Sequence, residues 1–201
     1  MMRTMQKAQE QAITSTATPK QEMKQRQQER CQSYLEQPSL AWITDSARTS
    51  AQKYGPSNPM HTVVHIGEHS SQEIDLSLHS AIGGWHHAPV AGDLLCAALA
   101  ACQDQSIRVI ATHLGLDITH LQVQAKAHVD VRGTLQLDPD VPVAFQKMEL
   151  HIELSLAEGT SPRMRELLLK QAEKSCVVMQ TLKPGVEIAI QDTERPQSSS
   201  R

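Results

Sequence analysis

An α+β fold is what this sequence predicts, and three observations carry the prediction. LQVQAKAHVDVR (121–132) and FQKMELHIELSL (145–156) alternate apolar and polar residues at period two, as long half-buried strands do. Ahead of them, LLCAALAACQDQSIRVIATH (94–113) is too long for a strand and apolar nearly all round in its first half. That is the pattern of a buried central helix. Strand-like runs are grouped and helices fall between the groups, which argues for antiparallel sheets rather than a doubly wound parallel one. The expected order is βββ-α-ββ-α-β.

Taken in order, residues 1–23 are polar, rich in Gln, Thr and Ser, and carry no hydrophobic period, so disorder, or order only on a partner, is expected there. One domain is expected over residues 24–191, opening with a short helix at about 24–36 that Pro38 stops. LAWITDSART from Leu40 alternates loosely and reads as the first strand. MHTVVHIGE (60–68) and QEIDLSLH (72–79) read as a hairpin across the polar break EHSS. A Gly- and Pro-bearing loop, HSAIGGWHHAPVAGD, leads to the central helix, and Gly115 sits just past that helix as a C′ glycine does. After the two long strands, SPRMRELLLKQAEKSC predicts a helix with Ser161 or Thr160 as cap and Pro162 in its first turn. VEIAIQ (186–191) closes the domain as a last strand, and residues 192–201 read as a disordered, solvated tail.

Composition narrows the function classes. A net charge of −3, with no basic run, argues against a nucleic-acid partner. No apolar stretch of secretory type opens the chain. The longest apolar run, Leu94 to Ala101, falls far short of the roughly 20 residues of a membrane span. A soluble, cytoplasmic protein without a membrane partner is expected. The four cysteines are then thiols with a chemical or packing role rather than a disulfide framework. A helix apolar on most faces must be covered on most faces; one sheet covers one side, so a second copy of the chain is the expected source of the rest.

Ten histidines raise the question of a metal. His61, His65 and His69 recur every four residues, but on a strand that spacing separates them by roughly 13 Å, too far to share an ion. No metal and no cofactor is expected. His86 and His87, in the loop before the central helix, are candidates to polarise a thiol or touch a ligand, with a solvated loop pair as the alternative. Trp85 is a candidate pocket wall or a pin for the loop.

At the central helix the residues become recognisable. GDLLCAALAAC (92–102) and KSCVVMQTL (174–182), in that order around two long strands, resemble the OsmC/Ohr family of thiol-dependent hydroperoxide reductases. The resemblance runs over roughly residues 40–191 and implies an intertwined homodimer of antiparallel sheets wrapped around central helices. It implies Cys102 as the peroxidatic cysteine and Cys176 as the resolving one, small organic hydroperoxides as substrates, an external dithiol as reductant, and a role in oxidative stress defence. The chemistry is coherent: a thiolate becomes a sulfenic acid, and a second thiol condenses with it to a disulfide. The family also uses an arginine and a glutamate to hold the cysteine ionised. Arg48 is the sole arginine between Cys31 and Ser106, hence the candidate cation.

The position ten before Cys102, where the family has its glutamate, is Gly92, with Asp93 beside it. Nine residues turn an ideal helix through about 900°, which sets Asp93 on the face opposite Cys102. Asp93 is therefore either a catalytic carboxylate or a stabiliser of the helix start. Cys96 and Cys31 read as packing and incidental. Two functional readings stay open: a peroxidase using Cys102, Cys176, Arg48 and Asp93, or a non-catalytic OsmC-like protein binding a small apolar ligand at a dimer interface.

Overall fold

Two antiparallel sheets and one long apolar helix organise the chain. The computed structural model describes residues 17–68 and 72–191. The first helix, α1 (Pro19–Glu36), begins before the expected Lys24, because Thr18 and Gln21 form a reciprocal capping box and Pro19 occupies its first turn. Residues 19–23 are therefore helical, and the disorder expected over 1–23 is corrected there; 1–16 and the tail 192–201 lie outside the described residues. The helix is predominantly polar, with Met23, Tyr34 and Leu35 its few apolar side chains besides Cys31 and Pro19. Lys20 holds Asp117 at 2.5 Å and His113 meets Gln27 at 2.6 Å, which ties it to the far end of the central helix.

The strand expected from Leu40 is also corrected. Pro38–Ala41 is a single 3₁₀ turn, and β1 is only Ala47–Ser50. Trp42 and Ile43 stay 88% and 76% exposed, so no sheet face holds the intervening residues extended. Strand β1 starts where pairing starts, at Ala47 opposite Ile66 of β2 (His61–Ile66). The hairpin with β3 (Glu73–Ser77) forms as expected, with Val63 opposite Asp75 and His61 opposite Ser77. Its turn, with His69, lies outside the described residues.

The central helix α2 spans Ala91–Leu114. Gly115 ends it at φ 69°, a left-handed conformation that the Leu116 N–H closes by reaching Ala111 O at 2.8 Å. By length and composition α2 could cross a membrane. Instead its Ile107 and Ala111 are fully buried with Leu168 and Ala172 of α4 (Pro162–Ser175), and they pack against the sheet below.

That second sheet pairs β4 (Ile118–His128) with β5 (Lys147–Leu156), with a bulge after Ile118. Its alternation is the one read from the sequence. Leu121, Val123, Ile152 and Leu154 face the helices, and the outer face carries pairs such as Lys126 opposite Glu149. Strand β4 stops at His128 because Asp130 caps the one-turn helix α3 (Val131–Thr134), accepting the Arg132 N–H at 3.0 Å. Helix α4 begins at Pro162 with the Ser161 hydroxyl accepting from the Met164 N–H. Ser161→Ala is expected to lower stability by about 1 kcal/mol, read as a fall in unfolding midpoint without change in m-value.

Two features differ after α4. The chain breaks at Cys176 and re-forms as α5 (Val177–Leu182), a helix the sequence reading did not separate. The last strand, 186–191, is corrected: it is irregular, and its apolar positions Val186, Ile188 and Ile190 are 64%, 80% and 91% exposed. Alternation defines a strand only when a sheet edge receives it, and no described strand of this chain does so.

Candidate active site

Helices α2 and α4 run antiparallel, as their contacts require. Ile107 and Ala111 of α2 pack with Leu168 and Ala172 of α4, and farther along the same pair Cys102 meets Cys176. The break after Ser175 places Cys176 at the junction of α4 and α5, turned inward and with no exposed surface. Burial pushes its thiol pKa up. The neighbouring Cys102 thiol pushes the same way, while the N–H groups of Met179 and Val178 at the start of α5 pull it down. Cys102 is half-buried, the more accessible of the two. All four cysteines are reduced.

Asp93 does not reach this pair. It lies nine residues before Cys102 on the same helix, roughly 13 Å along the axis. Its carboxylate accepts the Val90 N–H at 2.9 Å at the helix start. It also acts on Cys96, whose pKa is raised first by burial and then by the Asp93 charge. Replacing that charge, Asp93→Asn, is expected to shift the alkylation profile of Cys96 to lower pH, followed by peptide mass mapping. An unmoved midpoint would mean that burial alone sets it.

Gly92 is covered by the only phenylalanine of the chain: a β-carbon there would stand 3.0 Å from Phe145 Cζ. Phe145, Gly92, Asp93 and Cys96 all wall a largely apolar cavity of about 1080 Å³ between the start of α2, the end of β4 and the loop before β5. Arg48 lies exposed on β1 opposite His65, with no carboxylate partner among the described residues.

Trp85, His86 and His87 are not among the residues walling that cavity. Trp85 and His87 gather around His61. The His61 and His87 Nε2 atoms are 3.0 Å apart, and the Trp85 and Tyr54 rings lie 5.4 and 4.6 Å from the His61 ring. His61 Nδ1 is buried without a partner among the described residues. His86 takes φ 51° and packs on His79 instead. Among the described residues no three His, Cys, Asp or Glu side chains gather as a metal site. The pairing of His61 with His87 is not legible in the sequence, because it needs both the hairpin that sets His61 opposite Ser77 and the loop after β3 that folds back on Ser77 through Ala88. The sequence reading passed over Gln103, a buried amide beside Cys102; its signal was a polar residue between Leu99 and Ile107 on the apolar side of the helix.

The OsmC-like protein family matches residues 84–191, more than half of the chain. The chain belongs to the OsmC-like family. Solved OsmC-like structures share the fold at low identity. An OsmC-like protein from Mycoplasma pneumoniae is 13% identical with a TM-score of 0.55, covering 70% of this chain and 88% of its own. One of unknown function from Vibrio cholerae gives 12% and 0.56, covering 71% and 95%. An organic hydroperoxide resistance protein OsmC from Legionella pneumophila gives 18% and 0.50, covering 72% and 93%. No curated protein matches the sequence. The OsmC-like match begins at residue 84, so α1 and the first sheet lie outside it. The shared architecture is the α+β one expected, two antiparallel sheets with long helices.

Proposed function

We propose that this OsmC-like protein is a thiol peroxidase that reduces organic hydroperoxides in the cytoplasm as part of oxidative stress defence. The observation that carries the reading is the contact between Cys102 and the buried Cys176 across the α2–α4 pair. The Cys102 thiolate attacks the hydroxyl-bearing oxygen of the hydroperoxide. The O–O bond breaks, the alkoxide leaves and takes a proton as the alcohol, and Cys102 becomes a sulfenic acid. The Cys176 sulfur then displaces water to form the disulfide, which an external dithiol reduces, itself becoming a disulfide.

Arg48 is the cation that favours the thiolate, and Asp93 serves by fixing the start of the helix that carries Cys102. The active form is a homodimer. Ala97, Ala98 and Ala101 of α2 are exposed in the single chain, as are Trp42, Ile43, Ile188 and Ile190, apolar surface that a second copy covers. The name of the Legionella relative, a hydroperoxide resistance protein, agrees with this reading.

The test is anaerobic addition of cumene hydroperoxide to the reduced protein with thiol counting. The expected result is one alcohol formed and two thiols lost per chain, as an intrachain disulfide. Peroxide left unconsumed overturns the reading. A second reading, non-catalytic binding of a small apolar ligand, draws on the cavity at Gly92 and on Phe145 standing where a glutamate would be. Trp85, His86 and His87 lie on the loop that leads into α2, beside the cavity rather than in its wall, with His86 packed on the cavity-lining His79. Inertness to peroxide, together with quenching of Trp85 by a fatty acid or similar probe, is what that reading expects.

A further inference from the structure

Residues 79–88 run as a strap between β3 and α2, and four histidines hold it through two ring contacts. His87 of the strap meets His61 of β2, their Nε2 atoms 3.0 Å apart. The His86 ring packs on His79 at 4.3 Å between centroids. His79 Nδ1 in turn accepts the Ala81 N–H at 2.9 Å, which caps the 3₁₀ turn Ser80–Ile82. The strap lies flush on the end of β3: a β-carbon at Gly84 would stand 2.0 Å from Leu78 O. His86 sits at φ 51°, a left-handed conformation that costs free energy for a residue with a side chain. The contacts that close the strap must outweigh that cost.

Those contacts need neutral imidazoles. Two Nε2 atoms this close have room for one hydrogen between them; with both rings protonated, N–H faces N–H and like charges meet. A protonated His61 also carries an N–H on Nδ1, which is enclosed with no partner among the described residues. A metal on the same Nε2 atoms would leave that N–H equally orphaned, so the pair suits a proton and not an ion. A protonated His79 has no lone pair on Nδ1 for the Ala81 N–H, and the cap is lost. The surrounding charges are already engaged. Asp75 of β3, which feels the His61 charge, is held by Lys53 and by the Tyr54 hydroxyl. Glu73 pairs with His65 at the other end of the hairpin. Of the charged groups that share a cavity with His79, Asp93 accepts the Val90 N–H, and Lys126 and His128 bring only positive charge.

We propose that residues 79–88 are an acid-released strap, closed while His61, His79, His86 and His87 are neutral and freed when these rings take up protons. Histidine changes charge between about pH 5 and 8, so mild acid is the trigger. The released form holds more protons than the closed one, and falling pH therefore favours release. His79, Ala81 and Ile82 wall the cavity at Gly92, so release removes part of that wall. The thiol pair takes no part, and the strap stands or falls independently of the peroxide chemistry.

The experiment is amide hydrogen exchange of the full chain at about pH 7.5 and about pH 5.5, corrected for intrinsic rates and read by mass on the peptide covering residues 79–88. The N–H groups of Ala81, Gly84 and His86, bonded to His79 Nδ1, His79 O and Leu78 O, report the strap. Their protection is expected to fall about tenfold or more at the lower pH, with β4 and β5 unchanged. His79→Asn combined with His87→Gln replaces two imidazoles by amides that make the same hydrogen bonds and do not titrate. This double variant is expected to stay protected at both pH values. Wild-type protection that does not fall overturns the proposal, and so does a fall shared by β4 and β5, which is acid unfolding of the whole domain. An equal fall in the double variant overturns it too, because another group then senses the pH. If the double variant is open at both pH values, His87→Gln alone decides: a smaller fall than in wild type supports the strap, and an equal one overturns it.

Discussion

Cys102→Ser is expected to abolish hydroperoxide consumption, by about a thousandfold or more, as loss of a covalent nucleophile does. Cys176→Ser, with external dithiol and excess peroxide, is expected to stall after roughly one turnover, the stoichiometry of the proposed cycle. The assignment follows from access and ionisation. Cys176 has no exposed surface, and burial with the neighbouring sulfur holds its thiol above the usual range, so near neutral pH it is protonated and unreachable. The half-buried Cys102 is the sulfur a peroxide can meet. Once Cys102 carries an oxygen, Cys176 is already in contact, and the N–H groups of Met179 and Val178 favour its thiolate. Without it the sulfenic acid persists and is oxidised further, and mass spectrometry finds sulfinic acid at Cys102. Activity retained in Cys102→Ser would sink the assignment. The raised Cys176 pKa also sets a sign for stability. Because the folded state favours the protonated thiol, its contribution is full below the unfolded-state thiol pKa and is lost as pH rises through the raised one.

Leu168→Ala is expected to destabilise the fold by about 2–5 kcal/mol, read by chemical denaturation. Leu168 has no exposed surface and packs with Ile107, Ala111 and Ala172, where the two helices approach through small residues. A cavity there cannot fill from the sheet, since Leu121, Val123, Ile152 and Leu154 are held in register by the β4–β5 ladder. The same contacts fix how α2 and α4 slide past one another, so the thiol pair is expected to suffer as well. Disulfide formation in Leu168→Ala under limiting peroxide is expected to be slower than in wild type. A loss under 1 kcal/mol, with disulfide formation unaffected, would show that the helix pair is positioned from elsewhere.

How much of this was legible depended on the range of the interactions. Strands β4 and β5 and helix α2 were read within a few residues, because burial of one face imposes period two or an apolar helix wherever it occurs. The Ser161 cap and the Gly115 stop are local chemistry and were equally plain. The first strand failed because Leu40, Trp42 and Ile43 look apolar yet meet no sheet. The last failed because Val186, Ile188 and Ile190 alternate with no described edge to receive them. The start of α1 differs for another reason: polar residues without an apolar period form a helix there because Thr18 and Gln21 cap it.

The site divided in the same way. By itself the sequence determined which residues have thiol chemistry, and that one of them lies within an Ala- and Leu-rich helix while another ends a charged one. Tertiary structure alone decided that Cys102 meets Cys176, that Asp93 is occupied at the helix start, that Phe145 lies over Gly92, and that His61 faces His87. It also decided that Gln103 is enclosed with no donor to its Oε1 among the described residues. Periodicity records which face of an element is buried, whereas chemistry between elements depends on how they are set against one another. That setting comes from close packing at residues such as Ile107 and Leu168, whose apolar character is visible in the sequence but whose partners are not.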